Sequence, residues 1–243
     1  MLKNKVAFIT GANGGIGRAI AQEFIKQDAK IICAVRKIDL SFSKFLKKNS
    51  KNIISTLVFD LSNEESIKNE INKINKNIKI NVLINCAGSA SGSIFELTSK
   101  KKLKEVFEIN FFSQIYITQL LLKKLKKNKS SSIINIGSVS GIIADRGYLS
   151  YGASKSALMF STKVLANELS TYGIRVNSIA PGITKTKMLK KMDISYKKNL
   201  LAETFLKKEC NPKQVAALAA FLSSDNSLHI TGQIIRIDGG MKA

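Results

Sequence analysis

Histidine occurs once, at His229, tryptophan is absent, and the only prolines are Pro181 and Pro212. A single histidine excludes a histidine-rich metal site and leaves any Ser/His/Asp triad resting on that one residue. It lies in Ser-Leu-His-Ile-Thr-Gly near the C-terminus and reads as surface or edge-strand filler. Both prolines fall between predicted elements, so no proline-rich linker divides the chain. The three cysteines, Cys33, Cys86 and Cys210, are odd in number and form no CxxC pair, which argues against a disulfide framework or a zinc clip. Cys33 and Cys86 sit in apolar strand-like runs and read as small buried hydrophobes. No apolar run reaches the ~18 residues of a membrane span. Met1-Leu2-Lys3-Asn4-Lys5-Val6 enters a strand directly, with no signal-peptide core, so a cytoplasmic protein is expected.

Acidic residues are also scarce: 17 Asp and Glu face 39 Lys and Arg, for a net charge of +22. Such a balance raises nucleic acid, acidic membranes and anionic ligands as partners. Only five of these cations are arginine, however, and Asn and Ile are abundant too, as codon drift in an AT-rich genome would produce. Runs such as Lys100-Lys101-Lys102 and Lys126-Lys127 fall on helix-like faces with no aromatic ladder for stacking bases. They read as solvated surface, and nucleic-acid binding is not expected.

What is present is enough for one sizeable core: 243 residues, 44% of them apolar. Short β-branched runs alternate with longer amphipathic stretches. Strands are predicted at Val6–Ile9, Ile31–Val35, Ile53–Phe59, Val82–Ile84, Ile133–Ile136, Ile174–Ile179 and Gln233–Ile237. Helices are predicted at Ile16–Ile25, Glu64–Asn77, Ser99–Ile109, Phe111–Lys127 and Tyr151–Leu169. Strands this apolar belong in a parallel sheet covered on both faces. The expected fold is α/β, a single doubly wound Rossmann-type domain over residues 1–243 with a seven-stranded parallel sheet. The Lys/Met-rich stretch 184–208 looks irregular and is expected to be a substrate lid.

Thr10-Gly11-Ala12-Asn13-Gly14-Gly15-Ile16-Gly17 lies where the first strand meets the first helix. A pyrophosphate must approach backbone N–H groups at a helix N-terminus, and side chains there would block it. Glycines also serve ordinary tight turns, so the position at this first junction is what favours a nucleotide site. The second strand ends in Val35-Arg36-Lys37, with no carboxylate to accept the ribose hydroxyls of NAD. Two cations stand there instead, suited to a 2′-phosphate, so NADPH is expected over NADH.

Tyr151 and Lys155 are four residues apart on one helix face. A phenol of pKa ~10 is a poor proton shuttle at neutral pH, and a neighbouring ammonium is expected to lower it into use. Ser138 stands just after the Ile133–Ile136 strand, where doubly wound sheets hold ligands and where a hydroxyl can bond a substrate carbonyl.

These segments, with Asp60-Leu61, Asn85-Cys86-Ala87-Gly88, Asn110, Ile136-Gly137-Ser138, Asn177, Pro181-Gly182 and the tail Ile230-Thr231-Gly232 to Asp238-Gly239-Gly240, resemble the short-chain dehydrogenase/reductase family over nearly the full length. Segment spacing is most similar to the bacterial reductases that act on 3-oxoacyl groups carried by an acyl-carrier protein in fatty-acid synthesis. The resemblance implies that Tyr151 donates a proton to the carbonyl oxygen, Lys155 lowers the tyrosine pKa and binds the nicotinamide ribose, and Ser138 orients the carbonyl. Asn110 would kink its helix and hold a water of the proton relay. Gly11, Asn13, Gly14, Gly15, Ile16, Gly17 and Arg36 would contact the cofactor, Asp60 and Leu61 its adenine, and Asn85, Ala87 and Gly88 the adenosine side. Pro181, Gly182, Thr184 and Thr186 would meet the nicotinamide end. Helices around Phe111–Lys127 and Tyr151–Leu169 would pack against partner subunits in a homotetramer.

The segment Ser89 to Thr98 differs from the reductase-like pattern, and three single positions depart from the family pattern. Cys86 replaces the second asparagine of the usual Asn-Asn-Ala-Gly, Gly14 stands where many NADP-dependent members carry a cation, and Tyr172 takes the place of one of two basic residues expected for carrier-protein docking, Lys129 being the other. A sugar nucleotide, a small alcohol or a polycyclic hydroxy compound is the alternative substrate, and a nucleic-acid or scaffold protein on a degenerate Rossmann domain is the reading from another class.

Overall fold

The computed structural model describes residues 1–187, 189 and 193–242. Seven strands, β1 (Val6–Thr10), β2 (Lys30–Val35), β3 (Ile53–Val58), β4 (Val82–Asn85), β5 (Ser131–Ile136), β6 (Ile174–Pro181) and β7 (Ile234–Ile237), form one sheet in the order β3-β2-β1-β4-β5-β6-β7. Every pairing is parallel, as the uninterrupted apolar runs predicted.

Side-chain alternation divides the core. Ile32, Phe8, Leu83, Ile133 and Val176 lie in register across five strands and point to one face. Their neighbours Cys33, Ile9, Ile84 and Ile134 point to the other. The first face is covered by α3 (Glu64–Asn72), α5 (Ser113–Leu125) and α6 (Leu149–Leu169), and the second by α1 (Gly15–Lys26), α2 (Leu40–Lys48) and α8 (Pro212–Ser223). α4 (Lys100–Phe107) leads into α5 through a π turn at Glu108–Phe112. Among the described residues no helix is long and apolar enough to cross a membrane.

Three helices escaped the sequence reading. α2 is short and lysine-rich, begins at the Asp39 cap, which accepts from the Phe42 amide at 2.8 Å, and buries only Phe42 and Phe45. α8 carries a start signal, Asn211-Pro212 with Gln214 completing a capping box. α7 (Ile194–Ala202) corrects the expectation that 184–208 is irregular, and it buries no residue, so its pattern carried no helical stripe. The rest of that stretch includes residues 188 and 190–192, which lie outside the described residues.

Candidate active site

Strand order reverses between β1 and β4, opening a crevice at the carboxyl ends of the strands. Thr10, buried at the end of β1, holds its two sides together. Its Oγ1 accepts from the Cys86 and Ala87 amides at 2.9 and 3.0 Å. Gly11 follows at φ +66°, and a methyl group there would stand 2.9 Å from the Ala87 Cα. A methyl on Gly17 would stand 2.2 Å from the Gly11 carbonyl oxygen, and one on Gly15 2.6 Å from Thr186 Cγ2. α1 begins at Gly14 with no capping side chain and no acid in its first turn. Bare amides at a glycine-lined helix start are the donor set a pyrophosphate needs, so a dinucleotide fits here. Asn13 Nδ2 donates to the Lys37 carbonyl at 3.1 Å, tying the turn to the end of β2, and Ile16 packs on the core below.

Arg36 is exposed at that end of β2. The nearest following acid, Asp39, is engaged as the α2 cap. Across from it Asp60 accepts from the Ser62 amide and hydroxyl at 2.9 and 2.8 Å. Those bonds hold its carboxyl below the usual range, against partial burial, with the Arg36 charge adding to the effect. Leu61 packs on the core below.

The four predicted catalytic residues come together on the other side. Lys155 is 3% exposed, and its Nζ donates to the Ile136 carbonyl at 2.7 Å. A methyl on Gly88 would stand 3.2 Å from both that Nζ and Asn110 Oδ1, so Gly88 is the gap through which the two residues approach. Asn110, fully buried in the π turn, accepts from the Ser89 amide at 2.7 Å and donates to the Ser89 carbonyl and Ser154 Oγ at 3.0 and 2.9 Å. Both its amide hydrogens are used, so its side chain anchors the Ser89 segment. Ser138 is buried, and its Oγ accepts from the Ser140 amide at 3.2 Å.

Burial dominates the electrostatics. It pushes the Tyr151 phenol above its ordinary value, with hydrogen bonding to Ser138 opposing and Tyr148 and Cys86 reinforcing. It pulls the Lys155 ammonium down to about 8 and drives the Cys86 thiol up to about 12. The lowering of Tyr151 by Lys155 expected from the sequence is thus not found. The ammonium is turned to the Ile136 carbonyl, and desolvation of the buried phenol outweighs the groups that would lower it.

Other expected contacts divide. Asn85 is buried within the protein, donating to Asn135 Oδ1 at 2.8 Å and Thr118 Oγ1 at 3.1 Å, so its side chain braces β4 and β5 and does not line the crevice. Ala87 and Gly88 stand at the crevice. Pro181 ends β6, and a methyl on Gly182 would meet Asp238 at 2.7 Å. Thr184 donates to the Gly182 carbonyl at 2.9 Å, and Thr186 reaches over Gly15. Sequence reasoning gave no role to Thr10 as the tie across the crevice, to Ser154 under Asn110, or to Tyr148, whose ring meets Tyr151 edge-on at 6.2 Å and 70°. Only Thr10 had a signal, its place directly before Gly11.

A crevice at the strand-order reversal, a glycine turn and a Ser/Tyr/Lys/Asn cluster define a nicotinamide-type oxidoreductase site. The family model described as enoyl-(acyl carrier protein) reductase matches residues 11–242, and the chain belongs to that short-chain dehydrogenase/reductase family. It is 34% identical over 243 residues to the 3-oxoacyl-(acyl-carrier-protein) reductase FabG of Buchnera aphidicola subsp. Schizaphis graminum, covering 99% of this chain and 98% of that one. Proteins of the same name from Rickettsia conorii and Thermotoga maritima are 34% and 32% identical over 242 residues, each match covering 99% of this chain and 98% of the relative. A crystal structure of a candidate gluconate dehydrogenase from Agrobacterium tumefaciens superposes with a TM-score of 0.92 at 26% identity, over 99% of this chain and 96% of that one. The chain is an oxidoreductase of a family that works with nicotinamide cofactors.

Proposed function

We propose that the protein is an NADPH-dependent reductase of 3-oxoacyl groups on an acyl-carrier protein, working in fatty-acid synthesis as a cytoplasmic homotetramer. The observation that carries the chemistry is the convergence of Ser138, Tyr151, Lys155 and Asn110 beside an uncapped glycine turn. When bound, the nicotinamide supplies the hydride. The amides at the start of α1, with Gly11, Asn13, Gly14, Gly15, Ile16 and Gly17, hold its phosphates, and Asp60, Leu61, Ala87 and Gly88 its adenosine side. Lys155 holds the nicotinamide ribose, with Pro181, Gly182, Thr184 and Thr186 at the nicotinamide end. Ser138 orients the carbonyl, and Tyr151, kept protonated by its burial, gives its proton to the carbonyl oxygen. Asn110 fixes the wall formed by Ser89, and Lys155 keeps a positive charge beside the phenol as that proton leaves.

Arg36, exposed with the neighbouring acid consumed as a helix cap, supports the choice of NADPH. The carrier-protein reading is supported by the names of the relatives and by a substitute for the missing cation: Lys126 Nζ stands 3.3 Å from the centroid of the Tyr172 ring, so a positive charge still marks that position beside Lys129. Tetramer formation is supported by Phe112, Phe160 and Val164, all exposed on or beside α5 and α6.

The test is oxidation of NADPH with an acetoacetyl thioester. The native protein is expected to turn over, less well with NADH, and Tyr151→Phe to be at least ~100-fold slower. Retained activity in that variant removes Tyr151 as the acid, and equal use of NADH removes the argument from Arg36. Turnover confined to other carbonyl compounds moves the substrate to the sugar-nucleotide or small-alcohol class.

A further inference from the structure

The segment between Ser138 and Tyr151 is joined to α7 by a pair of polar residues that the reaction does not use. Tyr196 on α7 points its hydroxyl at Asp145, with both carboxylate oxygens 2.7 Å away. A phenol donating to a carboxylate is a charge-assisted bond, stronger than a neutral one. Burial and the Asp145 carboxylate together push the Tyr196 phenol far above its ordinary value, so it stays a donor at any working pH.

α7 needs such a tie. None of its residues is buried, and Ile194 at its start is 81% exposed. Beyond its C-terminal end, the chain pairs with the tail through Phe205 and Leu206 amides donating to the Gly240 and Gly239 carbonyls at 3.2 and 3.0 Å. Among the described residues, the side chains of α7 bond the rest of the protein at two places, Lys197 with Glu209 at 2.6 Å and Tyr196 with Asp145. The ion pair joins α7 to its own connecting segment, and of the two only the Tyr196 bond reaches the 142–148 segment.

That wall leads to the chemistry. The Tyr148 amide donates to the Asp145 carbonyl at 3.2 Å, and the Tyr148 ring meets the Tyr151 ring edge-on. Asp145 and Tyr148 also line a groove of about 680 Å³ together with Ile94, Phe95, Ile142 and Ile143. The Ser93 amide holds the wall from the far side, donating to the Gly147 carbonyl at 2.8 Å.

We propose that Tyr196 and Asp145 are positioning residues: their hydrogen bond clasps α7 against the 142–148 segment and sets substrate affinity without touching the reacting atoms. The kinetic part of this rests on the reductase reading, and the mechanical part does not. Removing the phenol oxygen frees α7 from the wall, so substrate holds less tightly while the Ser138/Tyr151/Lys155 geometry persists. Asparagine at 145 keeps one acceptor and is expected to retain part of the bond.

The test uses the full chain and its Tyr196→Phe, Asp145→Asn and double variants. α7 buries no residue, so Tyr196→Phe is expected to fold. With an acetoacetyl thioester, Tyr196→Phe should raise KM roughly tenfold with kcat within about twofold, Asp145→Asn should raise it less, and the double variant should be no worse than Tyr196→Phe alone. Trypsin should cut after Lys197 or Lys198 several times faster in Tyr196→Phe than in the native chain. Unchanged KM, additive losses or unchanged cleavage overturns the clasp. Faster cleavage in a chain that reduces no carbonyl compound keeps the clasp and removes the reductase reading.

Discussion

The two sides of the crevice are built by opposite means. Around β1, α1 and β2 the site is made by leaving side chains out: Gly11, Gly15 and Gly17 stand where a methyl would collide with Ala87, Thr186 and the Gly11 carbonyl. Around β4, β5 and α6 it is made by burying polar side chains, Asn110, Ser138, Ser154 and Lys155, each with a hydrogen-bonding partner inside the protein. The first side is therefore expected to be intolerant of volume and the second intolerant of lost donors. The dividing line is Thr10, whose hydroxyl bonds the amides of Cys86 and Ala87.

The largest expected effect breaks the first side by one methyl group. In Gly17→Ala the new carbon would lie 2.2 Å from the Gly11 oxygen, a backbone atom that cannot turn away. The glycine turn must shift, and overpacking of this kind costs about 1–3 kcal/mol, or more where backbone must move. Cofactor binding, followed by fluorescence of NADPH, is expected to be lost. Gly14→Ala is the control for packing, because its methyl would meet only the Gly11 oxygen at 3.2 Å; it should cost about 1 kcal/mol or less and leave the turn in place. Equal behaviour of the two variants would mean that flexibility of the turn, and not space, is what the glycines supply.

The same contrast explains what could be read from the sequence. Absences write themselves as glycine spacing, and the seven strands write themselves as apolar runs, so the turn, the sheet and its parallel order were all legible. Tyr151, Lys155, Ser138 and Asn110 were legible only as a set in order along the chain. Their electrostatics were not: proximity of Lys155 suggested a lowered phenol, but desolvation by the fold raised it. Asn85 shows the same limit, since residue type and position do not say whether an amide faces the crevice or braces two strands. α7 was illegible because it has no buried stripe, and its bond to the 142–148 segment joins residues 51 apart in sequence.

Lys155→Met breaks the second side. It removes the cation beside the phenol, and the rate of carbonyl reduction is expected to fall at least ~100-fold. Stability should move the other way or hardly at all. Burial holds the Lys155 pKa at about 8 instead of 10.5, so keeping it charged at pH 7 costs about 3 kcal/mol. Against this stands the Ile136 carbonyl, which loses its donor at a cost of about 1–3 kcal/mol. Thermal unfolding of the variant should therefore come at or above the native temperature. A clear drop would show that the ammonium is a structural prop and that the comparison between the two sides is misdrawn.

The smallest effect is graded with pH and needs no mutation. Three groups of the site can titrate in alkali, and burial separates them: Lys155 falls to about 8, Tyr151 lies above its ordinary value, and the Cys86 thiol is pushed up to about 12. Between pH 8 and the ordinary lysine value, the unfolded chain keeps the proton that the folded one has released. Unfolding free energy must then rise with pH through that window, as the penalty on the buried ammonium is relieved. Over the same window kcat/KM for reduction should be level below about pH 8 and fall by up to ~tenfold per pH unit above it, because the cation is lost while Tyr151 still holds its proton. Stability and activity thus diverge across one titration. In Lys155→Met the rise in stability should disappear, and if it persists, the group titrating near 8 is not this lysine.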